Sequence, residues 1–204
     1  MYMTFRQMKA DPARLQDALG LMEFVVGRLN DEHGGSFGYS MQVGGDPSLV
    51  ALSSPWETLG RYQAMREAIA TDPELQSAIR LASDLFTDAQ DMIGKVLNPP
   101  GERGAFVEIN TARIHMPAVA EAMAFCQEVV EFAEGKTGRP LGLIAGHTGD
   151  RSQIAFVAYG DSLDHLETLS DQVEGDADFQ TFYKRSEDLI VAGSAERNYW
   201  QLLG

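Results

Sequence analysis

The chain says nearly the same thing twice. SPWETLGRYQAMREAIATDPELQ, residues 54–76, is answered by AYGDSLDHLETLSDQVEGDADFQ, residues 158–180. An internal repeat restricts the possible folds more than any local signal, because both copies must solve the same packing problem. A shift of about 104 residues places Ser48 on Ser152, Ala51 on Ala155, Leu59 on Leu163, Asp72 on Asp176, Gln76 on Gln180 and Leu85 on Leu189. A shift one residue larger places Pro12 on Pro117, Glu23 on Glu128 and Val25 on Val130.

Agreement in pattern is closer than agreement in identity. Leu59, Tyr62, Met65 and Ile69 fall on one helical face, as do Leu163, Leu166, Leu169 and Val173. An acidic break follows each helix, TDPE or GDAD, and Asp72 and Asp176 are expected to cap the next one. That next helix carries Leu75, Ala78, Ile79, Leu85 and Phe86 in the first copy, and Phe179, Phe182, Tyr183, Leu189 and Ile190 in the second. The opening helix of each half is expected over 12–31 and 117–134.

Four strands are expected per half, at 4–9, 38–43, 49–53 and 92–97, then at 105–113, 141–147, 153–159 and 198–203. The turn signals GGDPS and TGDRS join the second and third of each set into hairpins. Each half reads β-α-β-β-α-α-β, a split βαβ plan with one added helix. The expected fold class is α+β, two tandem ferredoxin-like repeats at 1–98 and 105–204. NPPGERG marks a linker at 99–104, because consecutive prolines continue neither strand nor helix. A sheet with helices on one face leaves the other face bare, so the two copies are expected to cover each other as an intrachain pseudo-dimeric barrel.

Composition excludes several function classes. The 204 residues are 44% hydrophobic, enough for a proper core. A formal charge of -14 repels nucleic acid and anionic membrane surfaces. No stretch approaches the roughly 20 apolar residues of a membrane span, and MYMTFRQMKA does not read as a secretory signal. A soluble, cytoplasmic protein is expected. The single cysteine, Cys126, lies on a helical apolar face and reads as core.

The stretch SPWETLGRYQAMREAIATDPELQ, with its aromatic, its helix with paired arginines and its acidic-Pro-acidic helix start, resembles the NIPSNAP branch of the dimeric α/β-barrel superfamily. The second copy departs from it at Gly160, His165, Ser170 and Ala177, where the first has Trp56, Arg61, Arg66 and Pro73. The resemblance implies two ferredoxin-like units packed through their sheets. It also spans cofactor-independent monooxygenases, haem-degrading enzymes, peroxidases and isomerases, so fold alone does not choose the chemistry.

Candidate site residues are few. His147 ends the apolar strand LGLIAGH, and His115 follows strand ARI; either could accept a proton or bind haem if it lined a cavity. His33, at the end of the first helix, and His165, on a polar helix side, read as solvated. Arg6 and Arg113 lie in the first strands; at a shift of 105 they share one strand face, where they could bind an acidic ligand. Asn110 is similar to the strand asparagine of the haem-degrading and quinone-forming monooxygenases, whereas Trp56 reads more simply as a packing residue. Glycine-rich nucleotide motifs, a GxSxG nucleophile and cysteine pairs are all missing, and no motif supports a cofactor, while haem or flavin is held in this fold without short motifs. The expected function is a small-molecule-binding or accessory module with a cavity between sheet and helices, for a small apolar or acidic ligand. The alternative is a monooxygenase or haem-handling enzyme. The pseudo-dimer could itself pair into a homo-oligomer.

Overall fold

The computed structural model describes all 204 residues, Met1–Gly204. Strands β1 (Tyr2–Ala10), β2 (Gly38–Val43), β3 (Leu49–Trp56) and β4 (Phe86–Asn98) alternate with helices α1 (Leu15–Asp31), α2 (Leu59–Thr71) and α3 (Pro73–Ala82). The order then recurs: β5 (Phe106–Arg113), α4 (Val119–Thr137), β6 (Gly142–Gly146), β7 (Gln153–Gly160), α5 (Leu163–Glu174), α6 (Phe179–Ser186) and β8 (Glu196–Leu202). A single 3-10 turn, at Pro12–Arg14 and at Met116–Ala118, precedes α1 and α4. The protein is α+β, and its eight strands are hydrogen-bonded in the closed order β1-β3-β2-β8-β5-β7-β6-β4. No helix is long and apolar enough to cross a membrane.

Two compact units divide the chain, Met1–Gly94 with Gln201–Gly204, and Lys95–Trp200. The division falls inside β4 and β8, not at the proline linker. The last residues return to the first unit, where Tyr39 donates its N–H to the Gly204 carbonyl and accepts from the N–H of Leu203.

Equivalent bonds recur 104 positions apart. Tyr2 pairs with Trp56 across β1 and β3, as Phe106 does with Gly160 across β5 and β7. Ala10 donates to the Ser48 carbonyl, and Ile114 to that of Ser152. Asp46 accepts from the N–H and hydroxyl of Ser48, as Asp150 does from Ser152, which closes each hairpin turn. This register places Arg6 on Asn110 and Arg113 on Lys9. The expected pairing of Arg6 with Thr111, and with it the shared face of Arg6 and Arg113, is therefore corrected: alternation sends them to opposite faces.

In the first unit the core sits between sheet and helices, where Ala18, Met22, Val26 and Leu29 of α1 meet Met8, Val50, Trp56, Met65 and Leu75. Its counterpart in the second unit joins Ala122, Phe125, Cys126 and Val130 of α4 to Ile114, Leu143, Ile154 and Leu189. The third helix of each unit is shorter than expected. α3 stops at Ala82, where the Ser83 hydroxyl donates to the Arg80 carbonyl. Leu85 then leaves the helix so that its carbonyl can accept from Asp11, and Leu189 does the same for His115. Ile79 and Tyr183, expected on the apolar face, are about half exposed.

Asp72 caps α3 as expected, accepting from the N–H groups of Glu74 (2.9 Å) and Leu75 (3.1 Å). Its other oxygen takes Arg28 at 2.8 Å and His33 at 2.9 Å. His33 is thus partnered and largely covered, not solvated as its sequence position suggests. Asp176 does not cap α6; it binds Lys136 and the N–H of Asp178 instead. The Arg28 guanidinium, with the His33 and backbone donors, holds the Asp72 carboxyl well below the usual range, against burial that would raise it. A depressed carboxyl contributes stability above its unfolded value, about 3.9, that is lost as pH falls through the folded value. Asp72→Ala is therefore expected to lower the urea midpoint at pH 7 and to flatten the loss of stability below about pH 4, whereas Asp176→Ala, which loses only a more exposed pair with Lys136, has a smaller effect on both. Urea titrations at several pH values check this, and an equal effect at the two positions would contradict it.

Candidate functional site

Comparing the two units at the observed register locates a cavity. Five core positions that are large in the first unit shrink in the second: Met22 to Cys126, Leu29 to Ala133, Phe37 to Leu141, Trp56 to Gly160, and Tyr62 to Leu166. In the first unit Trp56 is buried against Phe37 and Tyr62, with ring centroids 5.6 and 5.5 Å away, and its indole N–H reaches the Thr4 hydroxyl at 3.0 Å. Leu166 moves over Gly160, where an added Cβ would lie 2.8 Å from the leucine Cγ. The leucine does not replace all the aromatic volume.

What remains is a cavity of about 390 Å³ within the second unit. Its floor is β5, β7 and β8, through Asn110, Ala112, Ile154, Phe156, Ala158 and Arg197. Its roof is Phe125, Cys126, Val129 and Ala133 of α4, Leu166, Leu169 and Val173 of α5, and Phe179, Phe182 and Tyr183 of α6. The α6 aromatics stack among themselves and on Phe132, with Phe132 and Phe182 centroids 5.1 Å apart. Pockets of this size and lining suit a small, mostly apolar ligand.

One part of the wall is polar. Glu108 is only 4% exposed, although it sits in an otherwise apolar strand segment. It accepts from the Asn110 side-chain amide and, at 3.0 Å, from the Ser170 hydroxyl. Arg197 donates Nε–H to the Asn110 carbonyl oxygen at 3.0 Å, lies 3.5 Å from Glu108, and pairs through Nη2 with Glu174. Burial works against the Arg197 guanidinium, but Glu174 and Glu108 outweigh it and its pKa is raised, so it stays charged. Burial also pushes the neighbouring Tyr159 and Tyr199 hydroxyls up. A buried carboxylate costs several kcal/mol unless it is paired and hydrogen-bonded, so this cluster is held for a reason other than packing. At the position of Glu108 the first unit has Thr4.

The sequence-derived candidates scatter. Asn110 lines the cavity. Arg113 is exposed and paired with Asp150 at 2.8 Å, matching Lys9 with Asp46 at 2.9 Å in the other unit. Arg6 makes a two-pronged, largely exposed pair with Asp91, both bonds 2.6 Å. His147 and His115 are exposed at strand ends, and Trp56 is buried in the first unit's core. None of these five lines the cavity. His165 accepts the Asp161 backbone N–H on its ring at 3.4 Å and lies 3.8 Å from the Asp161 carboxylate. Glu108, Ser170 and Arg197 were missed; the signal for the first was a charge between Val107 and Ile109 in a strand buried on both sides.

No histidine lines this wall, so a haem there would lack an imidazole ligand. The Cys126 thiol is fully buried and pushed up to about 12, so it is not a thiolate near neutrality. A flavin phosphate would face two carboxylates, Glu108 and Glu174, against the one guanidinium of Arg197. No group of three or more His, Cys, Asp or Glu is placed to hold a metal.

No family model and no curated protein matches the sequence. Solved structures do. A candidate monooxygenase from Fusobacterium nucleatum aligns over 100% of this chain and 92% of its own, with TM-score 0.75 and 10% identity. An anthrone oxidase-like protein aligns over 100% and 92%, with TM-score 0.69 and 14% identity. The fold is the dimeric α/β barrel. A NIPSNAP family protein from Agrobacterium tumefaciens matches 45% of the chain and 89% of its own length, at 20% identity and TM-score 0.41. The likeness to the first two, at 10% and 14% identity, speaks for the fold alone, and the chemistry must come from the site.

Proposed function

We propose that this protein binds a small, largely apolar molecule in the cavity of its second unit, between the sheet and helices α4, α5 and α6. The reading treats the chain as two tandem ferredoxin-like copies, one holding the ligand site and the other serving as scaffold. The observation that carries it is the set of shrunken core positions, Cys126, Ala133, Leu141 and Leu166, four of the residues around the same cavity. A packed core gains by filling space, and each missing methylene forfeits roughly 0.8 kcal/mol. An unfilled core beside a filled copy of itself is what a ligand site requires.

A titration with the neutral fluorophore N-phenyl-1-naphthylamine tests this. Saturable enhancement at one probe per chain is expected, with a rise in the unfolding temperature that grows with probe concentration. Absence of saturable binding would overturn the reading.

A second reading has one observation in its favour. A buried carboxylate, Glu108, faces an apolar cavity beside an amide and a guanidinium. That arrangement can accept a proton from a bound molecule and hold the resulting anion nearby, as a cofactor-independent monooxygenase requires of its substrate. The names of the similar structures, a candidate monooxygenase and an anthrone oxidase-like protein, agree with it.

A further inference from the structure

The cavity's polar cluster uses several of its donors internally. The Asn110 amide gives one N–H to Glu108, the Ser170 hydroxyl gives its proton to the other Glu108 oxygen, and Arg197 gives Nε–H to Asn110 and one Nη2–H to Glu174. Glu108 keeps acceptor capacity toward the cavity. An ionised carboxylate has about four lone-pair sites, and a hydroxyl has two. Glu108 and Glu174 outnumber Arg197, so the cluster also carries an excess of negative charge. Arg139, the other cation in the wall, is exposed.

We infer that the ligand carries a hydrogen-bond donor, a hydroxyl or amino group on an apolar ring system, and docks that group on Glu108. A carboxylate faces like charge from Glu108, and an acceptor-only group makes no hydrogen bond to it; burying either beside it is unfavourable. This rests on the cavity being the ligand site, and it adds the ligand's chemical class. The first unit serves as an internal control, because Thr4 stands where Glu108 does and its hydroxyl is used by Trp56 and the Ser54 carbonyl. Glu108 is therefore not a requirement of the fold.

Three probes with one ring system separate the two claims: 2-naphthol, 2-methoxynaphthalene and 2-naphthoate, titrated at pH 7 against the full chain by calorimetry or intrinsic fluorescence. 2-Naphthol is expected to bind about ten-fold or more tightly than either of the others. Glu108→Gln is expected to bring 2-naphthol to within about three-fold of 2-methoxynaphthalene, with circular dichroism reporting whether the variant is folded. Equal affinities, or 2-naphthoate binding best, would overturn the donor inference and leave the cavity site standing. Failure of all three probes to bind would overturn both. The ranking on the unaltered protein decides the question even if Glu108→Gln does not fold.

Discussion

Trp56→Ala lowers the unfolding free energy by about 3–5 kcal/mol, the range for removing a large buried aromatic. Trp56 is 8% exposed and packs edge-on to Phe37 and tilted against Tyr62. Truncation removes its transfer free energy, leaves a hole, and breaks two aromatic pairs. The lost indole hydrogen bond adds little, because the Thr4 hydroxyl still donates to the Ser54 carbonyl at 3.3 Å. Gly160 shows how the second unit lives without a tryptophan there: Leu166 closes over the glycine. Tyr62 stands at that helix position in the first unit. Urea unfolding followed by far-UV circular dichroism is the measurement, with the m-value unchanged. A loss under about 1 kcal/mol would mean that Trp56 is not a core residue.

The double variant Cys126→Met, Ala133→Leu restores to the second unit the side chains that fill the first, Met22 and Leu29. It is expected to weaken N-phenyl-1-naphthylamine binding at least ten-fold while leaving the unfolding temperature equal or higher. Both residues line the cavity, Cys126 with no exposed surface and Ala133 with 5%. Added methylenes there replace empty volume, so burial at roughly 0.8 kcal/mol per CH₂ offsets the strain of repacking. Unaltered probe binding by a folded variant would place the probe elsewhere. The contrast between the variants is diagnostic, because the first unit's core is full and the second's is not.

The repeated apolar positions and turn signals made the element order legible, since hairpin and helix faces follow from local periodicity. Helix ends were less so: Leu85 and Leu189 read as the last turn of a helix, yet each carbonyl is drawn off by a distant N–H, from Asp11 or His115. Asn110 was visible as a candidate through its resemblance to the strand asparagine of haem-degrading and quinone-forming monooxygenases. Its partner Arg197 lies 87 positions further along, and Ser170, which joins the same cluster through Glu108, comes from helix α5; only the folded chain brings them together. His147, His115, Arg6 and Arg113 drew attention for their residue type, and three-dimensional placement puts them at exposed strand ends or in ion pairs.

By itself the sequence determined the α+β class, the two-fold recurrence of elements, the Asp72 cap and the turns, because these depend on contacts within a few residues. It even contained the five substitutions from large to small. Only the tertiary structure decided that those positions surround one volume, and that a glutamate from one strand, an asparagine two residues on, a serine from a helix and an arginine from the last strand meet at its wall. Local chemistry sets each element, whereas a cavity is a property of what distant side chains jointly fail to fill.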